Sequence, residues 1–340
     1  MKKPIIGISM GDPAGVGPEI AVKALNRDTV HSVCHPLIIG DAWILERELK
    51  RYSPDKTLHV VRSVHQCRFS AEVINVFDLD IPNSQDIPVG KISAVAGNAA
   101  FSTIMKLIEL ALRGEIDATV TGPVHKKAIN DAGHHFTGHT EIFAEYTGTE
   151  NYAMLLACEQ LKVIHVTTHV PLREACDLIT QGRVYSRIKL MHDGLMKLGI
   201  ENPRIGVAGL NPHAGDEGLF GDEDTKAIQP AVEQAKTEGY KVEGPIPPDT
   251  LFPKALGKYY DGCVAMYHDQ GHIPFKMAGF AWDDVKQAMK SVVGVNITLG
   301  LPIIRTSVDH GTAFDIAGQG LACEEALVDA IKYAAKMCED

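Results

Sequence analysis

The chain has 340 residues, of which 45% are hydrophobic and 22% charged, as is ordinary for a globular protein with room for two cores. Its formal net charge is −10 and it has no basic block, which argues against nucleic-acid binding, because phosphate neutralisation needs clustered cations. No apolar stretch approaches the roughly 20 residues of a membrane span, and the short apolar start does not fit a signal peptide. We therefore expect neither a membrane span nor a signal peptide.

Short β-rich runs alternate with longer helical patterns, which is typical of a parallel or mixed sheet covered by helices. In chain order, the predicted strands are 4–9, 35–40, 73–78, 117–121, 154–158 and 163–167. The predicted helices are 17–26, 43–50, 93–113, 185–198, 227–238 and 324–337. A polar, proline-containing connection is expected at 82–91, and a strand, turn, strand, loop pattern at 294–312. No repeat or low-complexity linker marks a domain boundary.

The cysteines carry no metal-ligand or redox pattern. All seven are scattered and none forms a C-x-x-C pair (Cys34, Cys67, Cys158, Cys176, Cys263, Cys323 and Cys338). This usage is typical of reduced thiols, and it predicts a cytoplasmic protein.

Three histidines each follow an apolar, strand-like run. They are His169, His213 and His268, after the runs that begin at residues 162, 204 and 262. The carboxyl ends of parallel strands open onto the ligand crevice of an α/β sheet, so three imidazoles there could hold one divalent metal. Because the chain contains 15 histidines, the alternative is that each is a hydrogen-bonded structural residue.

Three further motifs have competing interpretations. The GDPAGVGPE motif at 11–19 superficially matches a dinucleotide loop, but its glycines are out of register, and a tight turn before a helix fits better. The TGPVHKK motif at 121–127 suits either an anionic ligand or a solvated, charged helix start. Within FTGHTE at 136–141, Thr140 could offer its hydroxyl to a phosphate or simply cap the helix.

Further charged groups sit near predicted strand ends. The segment 267–276 (YHDQGHIPFK) is dense in functional groups: Asp269 could orient His268, and Lys276 could neutralise a phosphate or carboxylate. Arg305 stands in an apolar strand, where burial is costly without a partner. That partner is either an anionic ligand or a structural carboxylate.

Eight motifs in chain order resemble the 4-hydroxythreonine-4-phosphate dehydrogenase family over nearly the whole chain. Besides the three motifs above, they are THVPLR at 168–173, GLNPHAG at 209–215, PDTLF at 248–252, MYHDQG at 266–271 and RTSVDHGT at 305–312. The resemblance implies NAD-dependent, divalent-metal-dependent oxidation and decarboxylation of a 4-phosphorylated, 3-hydroxy four-carbon acid. In the family this acid is 4-hydroxythreonine 4-phosphate, in the pathway of pyridoxine and pyridoxal phosphate biosynthesis. It does not distinguish zinc from magnesium, cobalt or manganese.

The resemblance also assigns roles to residues of this chain. It implies that His169, His213 and His268 hold the metal, within a homodimer whose partner chain supplies one of the three ligands. The implied substrate contacts are His139, Thr140, Lys276, Asn296 and Arg305. Asp249 and Asp269 are the candidate bases for proton removal.

The segment 309–322 looks like the adenosine-binding loop of isocitrate and isopropylmalate dehydrogenases, which places the cofactor at Gly311, Thr312, Ala313 and Asp315. An aspartate at position 315 would bind ribose hydroxyls and favour NAD over NADP. The implied fold is the α/β, two-domain architecture of those enzymes, with mixed sheets and no Rossmann domain. Its first, cofactor-side domain would comprise 1–134 and 300–340, and 135–299 would carry the metal, the substrate and the dimer interface.

One stretch departs from the family pattern. Residues 281–293 lengthen the chain between Lys276 and Asn296, and they look like a short helix. Paralogues in this family act on 4-phospho-D-threonate or 4-phospho-D-erythronate, so either of these is the alternative substrate. Two other classes stay open, which are an NAD-independent metal lyase or hydrolase and a non-catalytic metabolite-binding protein.

Overall fold

The chain is divided into two compact units. The computed structural model describes residues 3–283, 288–292 and 294–339. Met1–Glu150 and Leu301–Asp340 form the first unit, and Asn151–Gly300 forms the second. The sequence-based boundary at 134/135 lies earlier than this division, because the helix after it packs into the first unit. There Ile142 and Phe143 share a buried cluster with Phe101 and Ile104.

The strands, numbered in chain order, are β1 (Ile5–Ser9), β2 (His35–Gly40), β3 (Thr57–Val61), β4 (Val73–Asp78), β5 (Ala118–Thr121), β6 (Ala153–Ala157), β7 (Lys162–His165), β8 (Arg204–Ala208), β9 (Lys241–Ile246), β10 (Gly262–Ala265), β11 (Phe280–Asp283), β12 (Ala288–Val292), β13 (Val295–Leu299) and β14 (Ile304–Val308). The helices are α1 (Gly17–Ala24), α2 (Asp28–Val33), α3 (Ala42–Tyr52), α4 (Ala94–Leu112), α5 (Lys126–Asp131), α6 (His139–Tyr146), α7 (Leu172–Asp177), α8 (Gln181–Lys197), α9 (Gln229–Thr237), α10 (Pro248–Leu256), α11 (His268–Gly279) and α12 (Glu325–Lys336).

The first unit is built on a parallel sheet of order β3-β4-β2-β1-β5-β14. Its strands β1, β2 and β5 are short runs buried on both faces, as expected for parallel strands covered by helices. The last strand and α12 come from the C-terminal part of the chain, so this unit is discontinuous.

Helix α4 is the longest helix among the described residues. Ser93 begins it by accepting a hydrogen bond from the backbone N–H of Ala96. It is long and apolar enough to cross a membrane by composition alone, which the sequence analysis overlooked. Its apolar face nevertheless packs on β1, β2 and β5, with Ile104, Leu107 and Ile108 buried. This is the packing of a core helix, whose apolar character follows from burial within the unit.

The second unit has a mixed sheet of order β13-β6-β7-β10-β8-β9. Strand β6 is antiparallel to both β13 and β7, whereas β7, β10, β8 and β9 run parallel. The predicted α/β class with a mixed sheet is therefore confirmed. The core beneath β10 and α10 includes Leu251, Phe252, Cys263 and Phe275.

The predicted short helix at 281–293 is wrong. Strands β11 and β12 pair antiparallel and form a two-stranded ribbon, with Phe280 opposite Val292 and Asp283 opposite Ala288. Aromatic and β-branched residues at both ends of the segment favour strands over a helix. Residues 284–287 and 293 of the predicted helix lie outside the described part of the chain.

Candidate metal and substrate sites

The three predicted metal ligands follow neighbouring strands of the second unit. Strand β10 lies between β7 and β8 and is parallel to both, so the carboxyl ends of all three point to one edge of the sheet. His169 follows β7, His268 follows β10 and His213 follows β8, each within five residues of the strand end. The sequence pattern of apolar run followed by histidine thus corresponds to three adjacent strands.

Two of these imidazoles lie close together. The ring centroids of His169 and His268 are 5.8 Å apart. Metal–nitrogen distances of roughly 2.0–2.1 Å place two rings bound to one cation at roughly this separation. His169 and His213 are exposed, and His268 is partly exposed. Among residues 3–283, 288–292 and 294–339, no three His, Cys, Asp or Glu side chains form a group that could hold a metal.

The orientation of His268 suits a metal ligand. Its Nδ1 donates a hydrogen bond to Oδ1 of Asp269 at 2.7 Å, which leaves Nε2 with a lone pair for a cation. The ring also stacks on His272, one helical turn later, with centroids 3.7 Å apart and planes 11° apart. The donor set and its orientation therefore fit a divalent metal that binds imidazole nitrogen.

His165, the last residue of β7, is a buried member of the same histidine cluster that the sequence analysis missed. Its ring lies 4.6 Å from that of His272 and is 3% exposed. Burial first, and then His272 and His268, lower the pKa of His165 to about 3, so the imidazole is neutral. Its place at a strand end was visible in the sequence, but its burial was not.

Both candidate bases line a cavity of the second unit. A cavity of about 610 Å³ is bordered by Asp249 at the start of α10 and by Asp269 on α11, with apolar residues such as Phe252 and Ile273. A second cavity, of about 320 Å³, is bordered by His169 and His268. Tyr267 and Asp269 border both cavities, so Asp269 lies beside the two histidines.

Two predicted substrate contacts also belong to this unit. Lys276 is half-buried on α11, two turns after His268. Asn296 is on β13, paired with Leu156 of β6. Their roles as substrate contacts stay predictions.

In the first unit, Arg305 is a buried cation at the sheet. It lies on β14, is 3% exposed, and its Nη2 donates a hydrogen bond to Oγ1 of Thr121 at 2.8 Å. Burial lowers the pKa of Arg305 to about 9, against the opposing effect of Glu141. The guanidinium remains charged near neutral pH and lies 5.6 Å from the ring of Phe143. A buried cation of this kind suits an anionic ligand.

The predicted contacts His139 and Thr140 open helix α6. Gly138 occupies the N-cap, so the alternative that Thr140 caps the helix is wrong, and its hydroxyl lies in the first turn. The Nε2 atom of His139 is buried without a hydrogen-bond partner. Burial, and then the charges of Arg305 and Lys126, hold the pKa of His139 well below its usual value. These cations create a positive environment at a helix N-terminus, which favours anions.

The predicted cofactor loop packs against the GDPAGVGPE segment. The backbone N–H of Val16 donates to the carbonyl of Thr312 at 3.0 Å. A Cβ at Gly15 would lie 2.7 Å from the same carbonyl, so a glycine is required there. Gly11, with φ of 71°, and the bond from Gly15 N–H to Asp12 carbonyl make the segment a tight turn before α1, as predicted.

The rest of the cofactor loop presents accessible groups. Asp315 and Gly311 are exposed, Ala313 has φ of 43°, and the ring of Phe314 stacks on His125 with centroids 5.1 Å apart. Segments 11–17, 122–125 and 309–315 follow the adjacent parallel strands β1, β5 and β14. An exposed carboxylate on such an edge fits the ribose hydroxyls of a dinucleotide.

Two buried residues near the histidines were not among the candidate site residues predicted from the sequence. Asp224 accepts hydrogen bonds from the backbone N–H groups of Leu210 and Asn211, and Gln270 donates to the carbonyl of Gly209. Gln270 lies within the MYHDQG motif at 266–271, whereas Asp224 stands in no motif.

Comparisons with known proteins identify the family of the chain. A sequence model of the family described as "Pyridoxal phosphate biosynthetic protein PdxA" matches residues 32–334. The D-threonate 4-phosphate dehydrogenase of Cupriavidus necator is 47% identical over 336 residues, covering 98% of this chain and 97% of the relative. The enzyme of that name from Salmonella typhimurium is 45% identical over 339 residues, covering 99% and 100%.

A solved structure gives the same result in three dimensions. The 4-hydroxythreonine-4-phosphate dehydrogenase of Klebsiella pneumoniae superposes with a TM-score of 0.86 at 42% identity, covering 99% of this chain and 100% of the other. Both the family match and the full-length identities cover most of the residues discussed above. The chain therefore belongs to the PdxA family of pyridoxal phosphate biosynthetic proteins.

Proposed function

We propose that the protein is an NAD-dependent, divalent-metal-dependent dehydrogenase that oxidises and decarboxylates a 4-phosphorylated, 3-hydroxy four-carbon acid. The substrate of first choice is D-threonate 4-phosphate. The observation that carries this choice is the 47% identity, over 98% of the chain, with an enzyme named for that substrate. The chain also covers 97% of that relative, so no large part of the relative is missing here.

His169, His213 and His268 would hold the metal. The 5.8 Å separation of the His169 and His268 rings supports this, as does the hydrogen bond that orients His268. When bound, a divalent metal supplies a Lewis acid for the oxidation and for the loss of CO2. Replacing His213 with Ala should abolish metal binding and turnover together, and full activity of the metal-free variant would contradict the assignment.

We assign different tasks to the two carboxylates of the cavity. Asp269 is engaged by Nδ1 of His268 at 2.7 Å, so it orients that imidazole. Asp249 is exposed at the same cavity and is the better acceptor for the proton of the 3-hydroxyl.

Residues proposed to contact the substrate are described for each unit by itself. In the first unit, Arg305, His139 and Thr140 combine a buried positive charge with the N-terminus of α6. In the second unit, Lys276 and Asn296 are the proposed contacts. For NAD, we propose the loop with Gly311, Thr312, Ala313 and Asp315, where Asp315 binds ribose hydroxyls.

We also propose a homodimer in which a second copy completes the metal site. No three ligand-type side chains of the described residues form a metal group within one chain. Large apolar side chains are exposed near the histidines, namely Leu219 and Phe220 after His213, and Ile273 and Met277 on α11. A second copy would cover this apolar surface. We expect a cytoplasmic location, because all seven cysteines are free thiols.

The substrate test compares two acids that differ at carbon 2. Purified protein with NAD and a divalent metal receives D-threonate 4-phosphate or 4-hydroxythreonine 4-phosphate, and NADH absorbance is followed. Turnover of the threonate should yield a hydroxy-ketone phosphate, whereas the amino acid would yield an amino-ketone phosphate. Turnover of the threonate alone is the expected result.

The amino acid is the second candidate substrate, supported by the name of the Klebsiella pneumoniae structure with its TM-score of 0.86. Turnover of the amino acid alone would establish that candidate instead. Substrate consumption without NADH would point to a metal lyase or hydrolase. Ligand binding without NADH or CO2 would point to a metabolite-binding protein, and either result would overturn the dehydrogenase assignment.

A further inference from the structure

The loop that carries His213 has an unusual backbone. Six consecutive residues have positive φ, which are His213 (55°), Ala214 (55°), Gly215 (81°), Asp216 (44°), Glu217 (56°) and Gly218 (98°). Two of them are glycine, and the left-handed region is unfavourable for the other four because the Cβ approaches the following carbonyl oxygen. Such a run persists only where the surrounding structure enforces it, and strained backbone of this kind concentrates at functional sites.

A buried carboxylate holds the entry to this loop. Asp224 is fully buried, and its Oδ1 accepts a hydrogen bond from the N–H of Leu210 at 2.8 Å. Its Oδ2 accepts two more, from the backbone N–H and the side-chain amide of Asn211, both at 3.0 Å. The carboxylate lies so close that a Cβ at Gly209 would be 2.8 Å from Oδ1. Three charge-assisted hydrogen bonds thus fix the residues just before His213.

A buried amide connects the same loop to the start of α11. The side chain of Gln270 donates from Nε2 to the carbonyl of Gly209 at 2.8 Å, and its Oε1 accepts from the N–H of Met266 at 2.6 Å. Gly209 opens the loop of His213, and Met266 lies two residues before His268. One side chain, 8% exposed, therefore joins the backbone segments of two histidines.

We propose that Asp224 and Gln270 are positioning residues for the metal, which act by fixing the loops of His213 and His268. Neither is one of the proposed metal ligands. The inference rests on the proposed metal site. It predicts that loss of either side chain weakens metal binding without removing a ligand, as loss of a residue that orients metal ligands typically does.

The test measures Co²⁺ binding to the full-length protein by titration and by the visible absorption of bound Co²⁺. Asp224→Asn keeps the shape and one acceptor of Asp224 but cannot accept from both N–H groups and the amide. Gln270→Met keeps the volume and removes both hydrogen bonds. Each should weaken Co²⁺ affinity by roughly 10- to 100-fold and alter the absorption spectrum.

Two controls separate positioning from general destabilisation. Asp222→Asn makes the same charge change on the same loop, at an exposed residue that pairs with Lys226. Ile188→Ala opens a cavity at a fully buried position on α8 and should lower the melting temperature. Both controls should keep Co²⁺ affinity within about two-fold of wild type, since neither removes a hydrogen bond to the loops of His213 and His268.

The outcomes distinguish this inference from the metal site itself. Wild-type protein without Co²⁺ binding, or His213→Ala with unchanged affinity, would overturn the metal site. The positioning role alone would be overturned if Asp224→Asn and Gln270→Met kept the wild-type Co²⁺ affinity and spectrum while His213→Ala lost Co²⁺ binding. An equal loss in Ile188→Ala would also overturn it. If Asp224→Asn does not fold, as judged by circular dichroism, Gln270→Met decides the question.

Discussion

The buried imidazole of His165 makes the stability of the metal-free protein sensitive to acid. Its pKa is lowered from 6.5 to about 3, chiefly by burial. Unfolding exposes the ring and restores its ordinary pKa, so below that value the unfolded state binds a proton that the folded state does not. The free energy of unfolding contributed by this residue is therefore undiminished above about pH 6.5, and it falls as the pH drops toward about 3.

The size of this effect follows from the two pKa values. Each pH unit below the unfolded pKa removes about 1.4 kcal/mol, so about 2 kcal/mol is lost by about pH 5. No discount for solvent screening is needed, because the ring is 3% exposed. Replacing His165 with Leu removes the titration, and it also removes two ring nitrogens that lack a hydrogen bond of good geometry.

The assay is urea unfolding with a chelator present, at about pH 8 and about pH 5, for wild type, His165→Leu and His65→Leu. The exposed His65 is a matched control for histidine loss. Between these two pH values, the free energy of unfolding should fall by about 2 kcal/mol more for wild type than for His165→Leu. The fall for His65→Leu should equal that for wild type. An unchanged difference between wild type and His165→Leu at the two pH values would refute the reasoning.

Three further predictions concern the substrate and cofactor groups. Arg305→Met should raise the KM for the phosphorylated acid by roughly 10- to 100-fold, because a charged hydrogen bond is lost; an unchanged KM in initial-rate assays would remove Arg305 from the site. Gly15→Ala should weaken NAD binding at least several-fold in fluorescence titrations, since its Cβ would lie 2.7 Å from the Thr312 carbonyl, and wild-type affinity would show that the loop tolerates it. Asp315→Ser should shift the kcat/KM ratio toward NADP by removing a carboxylate that repels the 2′-phosphate, and an unaltered ratio would exclude Asp315 from ribose recognition.

Sequence patterns within one segment predicted the strands and helices whose formation depends on that segment alone. Apolar runs bounded by turns correctly gave strands such as β7, β8 and β10, and therefore the histidines at their ends. Helix α11 was missed because Gly271 and Pro274 oppose helix formation, while the helix is stabilised by burying Phe275 against the sheet. Asp224 and Gln270 were missed for a different reason, since their importance depends on contacts between segments distant in sequence.

The discontinuous first unit has a consequence for the order in which the chain acquires its structure. During synthesis, residues 151–300 emerge and can pack before β14 and α12 exist, although β14 pairs with β5 over Ile304–Ser307. Until β14 is synthesised, α4 packs on a sheet that lacks its final strand. The nascent first unit therefore exposes the unpaired edge of β5 and the faces of β1 and β5 that α12 later covers, for as long as the second unit is being translated. Loss of residues 301–340 would make that interim state permanent, so the C-terminal segment is necessary for the first unit to fold.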